Sequence, residues 1–416
     1  MFLWTPSGKS ISIGLLAILF LWFVAEGRAA EKKSPTASEG PVESVSSQPG
    51  AKEVRWAVGG CGGAYFLASP GPLVIDLYKR DLHRRQTVTE LRAILAGPDR
   101  RVLQEVRIPD DGLRGPGPGP WQWARLSTEV QRKGIYVLNI TVSNDRYGEE
   151  IAWGFQTNCP KYLVETARGH RDAPHEEPLV LLCPDQPGQV CFQPRLGEFS
   201  MQITGLPKEV GSVEVRDAKD QLLTTVSVDA SGQAQHRFPA DKNRQNTPWR
   251  ILLPKQQAVL HLDGLTRWLL DDPAPNIACW TPDANSWFSW LENRWLLTPY
   301  RRVVYGQPGE QGTLRFEVHN NAPRLRKIQL ALEFPQLDAS GAGGPGAAGG
   351  ASAAGGAGAA GLVRLSRSNL QVGPRQAEEV LLHYTIPPEG QMECLLRATP
   401  DDDPDFSTYS SVKLIA

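Results

Sequence analysis

Four groups of residues have the types and spacing to do chemistry. The segment "HRDAPHEE" carries His170, Asp172, His175 and Glu176 within seven positions. Imidazole and carboxylate donors suit zinc or another transition metal. Pro174 and the polar neighbours make a solvated linker the competing reading, so His170, Asp172 and His175 are metal-ligand candidates only. The segment "GPGPGPWQWARL" places Trp121 and Trp123 two positions apart, just after a Pro-Gly run. In a strand, such residues share a face about 7 Å apart. Two indoles so placed could stack neighbouring sugar rings, or fill a sandwich core. The run "DDDPDF" sets Asp401, Asp403 and Asp405 at the first alternating positions of a calcium loop. The glycine expected at the sixth position is Phe406, and the glutamate expected at the twelfth is Val412. Last, six cysteines are present, with no C-x-x-C pair to suggest zinc.

No G-x-S-x-G, H-E-x-x-H, Walker loop or dinucleotide fingerprint occurs. Paired acids such as Asp110-Asp111 and Asp271-Asp272 fall in Gly- or Pro-bearing turns, where surface acids are common. A glycosidase needs two carboxylates facing across a cleft, which spacing alone does not reveal. No cofactor is implied. Lys plus Arg is 44 against 45 acids, with no basic block, so nucleic acid and anionic membrane surfaces are poor partners.

The elements that must position these residues begin after an export signal. Lys9 precedes the apolar run Ile11 to Val24, and Gly27 and Ala29 suit cleavage after Ala29. As a helix that run would be about 21 Å long, short of the ~30 Å hydrocarbon core, so residues 1–29 are expected to be a signal peptide and no membrane span remains after cleavage. Residues 30–52 are rich in Ser, Pro, Glu and Gly and read as a disordered tether. Export places the protein in the periplasm, at the cell surface or outside the cell. In that setting six cysteines suggest disulfides. Order along the chain favours Cys183–Cys191, Cys61–Cys159 and Cys279–Cys394.

Beyond the tether, short alternating runs recur between Gly, Pro and Asp turns, which predicts an all-β chain of tandem sandwiches. The first spans 53–168, with runs such as "LVIDLYKRD" and "GIYVLNITVSND". The second spans 169–270. The third spans 300–416 and is interrupted by a Gly/Ala-rich stretch at 340–361 that cannot bury apolar surface. Between the second and third, 271–299 is expected to be a short Trp-rich helical connector. Thr281-Pro282-Asp283 has the form of a helix start. Trp287, Trp290 and Leu291 then fall at i, i+3 and i+4 with Trp295 at i+8, a stripe suited to plugging a core.

Two local patterns resemble immunoglobulin-like folds. Gly134-Ile135-Tyr136 resembles a tyrosine corner. In the last unit a Pro308-Gly309-Glu310 turn leads through Phe316 and Val318 to Asn320. Later a Gly373-Pro374 turn leads through Val380 to Ile386-Pro387. This order resembles the generic immunoglobulin-like accessory domains of secreted bacterial proteins, over about a quarter of the chain. The resemblance implies a non-catalytic spacer or binding module. The expectation is therefore an exported scaffold or spacer whose partner is an extracellular glycan or an envelope protein. A glycan-binding module using Trp121 and Trp123 is the alternative, and a polysaccharide-active hydrolase or lyase the second.

Overall fold

The structure is a computed structural model. It describes residues 54–416 apart from 146–147, 166–174, 177, 183–186, 245–246, 254–257, 269–278, 294–295, 323, 335–360 and 405. The segments expected to be a signal peptide and a tether, and most of the Gly/Ala-rich stretch, lie outside the described residues, as do Cys183, His170 and Asp172. Among the described residues the chain is all-β, and no helix is long and apolar enough to cross a membrane.

One ten-stranded sheet runs through the first two β units. Its order is Leu222–Ser227, Ser212–Arg216, Trp249–Leu253, Gly188–Phe192, Cys279–Thr281, Tyr162–Glu165, Gly62–Ala68, Gly134–Val142, Leu91–Ala96 and Val102–Ile108. The three-residue strand Cys279–Thr281 is the splice. It pairs antiparallel with Gly188–Phe192 on one side and with Tyr162–Glu165 on the other. Two four-stranded sheets face this long one. Val58–Gly59, Ile151–Thr157, Gly71–Asp81 and Gln122–Val130 cover the first unit. Leu179–Leu181, Ala258–Leu262, Phe199–Thr204 and Ala234–Phe238 cover the second. A single apolar cluster fills both, from Phe66, Ile75 and Trp153 through Trp280 to Met201 and Leu260. Alternation explains the pairing of faces: Leu73, Ile75 and Leu77 are buried while Val74 and Asp76 are only partly covered.

The last unit is a sandwich with its own core around Phe316, Val380, Leu396 and Val412. One sheet holds Leu297–Thr298, Gln311–His319, Ala377–Thr385 and Val363–Leu365. The other holds Arg301–Tyr305, Thr408–Ile415, Gln391–Pro400, Arg326–Glu333 and Asn369–Val372. Arg301–Tyr305 pairs parallel with Thr408–Ile415. The turn glycine Gly309 has φ +81°, a conformation glycine adopts freely. Buried Asn320 donates from Nδ2 to the carbonyls of Arg324, Val372 and Gly373 at 2.7–2.9 Å, tying two turns together. In the first unit the Tyr136 hydroxyl donates to the Arg132 carbonyl at 3.3 Å, the bond a tyrosine corner makes.

The expected helical connector is not a helix. Ala284–Ser286 and Leu291–Asn293 are single 3-10 turns, and Trp287 returns to an extended conformation at φ −65°, ψ 140°. Side chains that would have to ignore the backbone instead compete for it. Asp283 Oδ1 accepts from the Asn285 N–H at 3.0 Å, Ser286 Oγ donates to the Asp283 carbonyl at 2.7 Å, and Asn293 Nδ2 donates to the Ser289 carbonyl at 3.1 Å. Trp287 and Trp290 of the indole stripe still meet a core, while Trp295 lies outside the described residues. Trp290 is 3% exposed and packs among Tyr65, Ile135, Val137, Leu163, Cys279 and Phe406. Arg326 anchors the segment to the last unit through Asn293 Oδ1 at 2.7 Å and Asp402 Oδ1 at 2.7 Å.

The disulfide expectation is also corrected. Among the described residues Cys61, Cys159, Cys191, Cys279 and Cys394 form no disulfide, and Cys183 lies outside them. Cys61 precedes the strand Gly62–Ala68, whereas Cys159 Sγ donates to Leu67 O at 3.6 Å and Lys161 O at 3.3 Å, near that strand's far end. At ~3.3 Å per residue the two lie roughly 20 Å apart, far beyond the reach of a disulfide. Cys279 belongs to the Trp290 cluster and Cys394 to the core of the last unit. Burial pushes the Cys191 and Cys394 thiols up to about 12. Both should therefore resist alkylation at pH 8 in the native protein and react only on unfolding, with half-buried Cys61 modified first. Mass spectrometry after timed alkylation reads the order; rapid native labelling of Cys394 would contradict it.

Candidate functional site

Among the described residues, a set of closely placed titratable side chains lies at one rim of the first sandwich, where four chain segments meet. The strand Gly71–Asp81 continues its inward alternation past Leu77 with Lys79 and Asp81, which are 0% and 1% exposed. A charge at a core position must be bonded to persist. Lys79 Nζ donates to Asp81 Oδ2 at 2.8 Å, Pro109 O at 2.7 Å, Thr89 O at 3.3 Å and Gln122 Oε1 at 3.3 Å. Asp81 Oδ1 accepts from Thr89 Oγ1 at 2.5 Å, and Oδ2 accepts from the Asp111 N–H at 3.0 Å.

His83 follows in a left-handed conformation, φ +53°, which costs a non-glycine residue energy. Its Nδ1 meets Gly117 O at 2.8 Å and its Nε2 meets Asp111 Oδ1 at 3.0 Å. The Asp111 hydrogen bond, then that of Gly117, push the imidazole up from its ordinary value against the opposing effect of burial. Gly117 has φ +94°, so the loop can aim that carbonyl inward. A Cβ at position 119 would overlap Asp111 Oδ2, so the loop needs glycine there as well. Beside this set, Asp110 accepts from the Thr89 and Gly112 N–H groups and from Arg114. Those bonds outweigh burial and bring its carboxyl down to about 2.

The same loop delivers the two tryptophans. Gln122 turns inward to Lys79, with which it is in register, so Trp123 falls on the outer face of the strand Gln122–Val130 with Arg125, Ser127 and Glu129, and Trp121 immediately precedes that strand. Both indoles are half-buried, and neither belongs to the apolar core of the sandwich. Trp123 is opposite Tyr78 in the ladder. The Arg80 guanidinium lies 5.5 Å from the centre of the Trp121 ring while its Nε donates to Gly119 O at 2.6 Å. Asp76 and Arg125 form a two-bond pair on this face, at 2.6 and 2.9 Å.

The remaining sequence candidates lie elsewhere. The His175 backbone pairs with Trp268 in a two-stranded ribbon, while its side chain, with His170 and Asp172, falls outside the described residues. In the acidic run, Asp402 holds Arg324 and Arg326 by ion pairs at 2.7 Å, and Asp403 Oδ2 accepts from Asn293 at 3.3 Å. Lys79, Asp81, His83 and Thr89 were not singled out from sequence. The signal was present in the parity of "LVIDLYKRD", which puts Lys79 and Asp81 on the same face as Ile75 and Leu77.

No protein-family model matches the chain, and no curated protein matches it. Among solved structures, the seventh PapD-like domain of human CEP192 is 15% identical, with 28% of this chain and 80% of that one covered at a TM-score of 0.19. The VesB protease of Vibrio cholerae is 10% identical, with 84% and 96% covered at 0.20. Salmonella alpha-2-macroglobulin reacted with methylamine is 10% identical, with 83% and 28% covered at 0.19. Scores this low carry no argument about family or activity. The all-β architecture agrees with immunoglobulin-like folds as a class.

Proposed function

We propose that the protein is an exported, non-catalytic β scaffold that binds extracellular glycan through Trp121 and Trp123. The observation that carries the reading is that neither indole enters the apolar core: Trp123 lies on the outer face of its strand and Trp121 immediately precedes that strand, beside Arg80 and the Asp76–Arg125 pair. Aromatic faces supply large contact area at low entropic cost, and the polar groups alongside can bond sugar hydroxyls. A binding role also fits the neighbouring ionisable groups. Lys79 and Asp81 are sealed in mutual bonds that hold the loop leading to Trp121. The continuous sheet through the first two units supports a stiff spacer. Export rests on the Ile11–Val24 run and the Gly27/Ala29 site, and inert buried thiols suit an oxidising compartment as readily as a reducing one.

The test uses protein recovered from the periplasm of a Gram-negative host, with a mature N-terminus expected near Ala30. Wild type should be retained by at least one of a panel of insoluble polysaccharides. Trp121→Ala/Trp123→Ala should weaken retention more than about tenfold, ~1.4 kcal/mol, with the melting temperature nearly unchanged. A large stability loss, or equal retention by both proteins, would return the indoles to a structural role. Substrate turnover abolished by changing one acid or histidine would replace the scaffold reading with the hydrolase or lyase.

A further inference from the structure

We propose that Asp81, His83 and Asp111 bind a transition-metal dication of the zinc class. One donor atom from each residue lies within 4.8 Å of the other two. A zinc ion with bonds near 2.0–2.2 Å needs donors somewhat closer than that, a contraction that small side-chain rotations supply. Lys79 and Thr89 hold Asp81 at the end of its strand, and the His83 and Asp111 side chains are 5% and 3% exposed, so the site is built and sheltered.

Two features call for a cation. With its Nδ1–H donating to Gly117 O, a neutral His83 ring directs the Nε2 lone pair at Asp111 Oδ1, 3.0 Å away. Two lone pairs face each other at that distance only when positive charge lies between them. A proton on Nε2 would satisfy this contact. It would leave Asp111 Oδ2, which finds no donor among the described residues although its side chain is almost wholly buried. A buried carboxylate oxygen without a partner is expensive. A metal ion held by Nε2 and by the Asp111 carboxylate answers both contacts; the proton answers one.

The donor set selects the class. One imidazole nitrogen with two carboxylates suits zinc, cobalt or manganese better than calcium, which takes six to eight oxygens. The carbonyl of Gly117 on the distal ring nitrogen is the orienting partner that metal-ligating histidines characteristically have. Lys79 offsets the charge of Asp81 while the site is empty, which keeps the buried pair of acids tolerable without a metal. Binding here would pin the loop that begins at Pro109 to the strand that ends at Asp81. The proposal stands apart from the glycan reading, because its readout is the metal itself.

The experiment strips the mature chain with a chelator and adds Co2+ while visible absorption is followed. Wild type should take up one Co2+ per chain, displaced by Zn2+. His83→Ala and Asp111→Asn should weaken binding by more than the roughly 10–100-fold that loss of an orienting partner costs. His236→Ala, on a different sheet, should bind as wild type does. Should either site variant fail to fold, the wild-type spectrum decides: Zn2+ must shift the His83 ring resonances and leave those of His236 in place. No uptake by folded wild type, equal uptake by Asp111→Asn, or zinc-induced shifts at His236 alone would overturn the assignment.

Discussion

Lys79→Met should destabilise the protein by about 3–5 kcal/mol, the range for removing one member of a buried, hydrogen-bonded ion pair. Methionine preserves most of the length and removes the charge. The loss strands several groups at once. Asp81 keeps Thr89 Oγ1 and the Asp111 N–H but loses its counter-charge, and the carbonyls of Thr89 and Pro109 lose a donor where water has little access. The penalty is therefore mostly that of an orphaned carboxylate, not the net worth of the pair. Lys79→Met/Asp81→Leu should recover a good part of it, because two apolar residues of fitting volume often replace a buried pair without loss. Urea unfolding in the presence of chelator, so that bound metal does not add to stability, measures the cycle. A single-variant loss below ~1 kcal/mol, or strict additivity, would mean that Lys79 is hydrated in solution.

The strand architecture was legible because apolar runs and turn residues repeat along the chain: "LVIDLYKRD" forms a strand with the alternation its sequence shows, and "GIYVLNITVSND" forms one buried over most of its length. The site was legible only in pieces. Asp110-Asp111 stood out as a pair of turn acids, but His83 lies 28 residues before Asp111 and only the closed sandwich brings them together. Period two put Trp121 and Trp123 on one face; it did not say which. That choice belongs to Gln122, which turns inward because Lys79 is buried opposite it. The connector failed for a different reason. Thr281-Pro282-Asp283 and the indole spacing are helix signals, yet Asp283, Ser286 and Asn293 offer the backbone closer partners than an i−4 carbonyl would. The cysteine order misled because position along the chain carries no information on how far a strand separates its two ends.

The second large effect is expected at the connector. Trp290→Ala should cost about 3–5 kcal/mol, the usual range for truncating a buried Trp or Phe. The indole centre lies 4.4 Å from the Tyr65 ring and 5.7 Å from that of Phe406, so one side chain joins the long sheet to a turn of the last unit. Deleting it opens a cavity beside the buried bond from Tyr65 OH to Glu165 Oε2, 2.6 Å long, and admits water to a carboxylate the fold had sealed. The cavity cannot close by collapse of the connector. Arg326, with its side chain 1% exposed, ties Asn293 of the connector to Asp402 of the last unit. Trp290→Phe keeps a ring against Tyr65 and Phe406 and should lose distinctly less than alanine does. Denaturant unfolding followed by circular dichroism compares the three proteins. If alanine cost less than ~1 kcal/mol, or as little as phenylalanine, the connector would be packing loosely against both sandwiches, and the indole would not be what joins them.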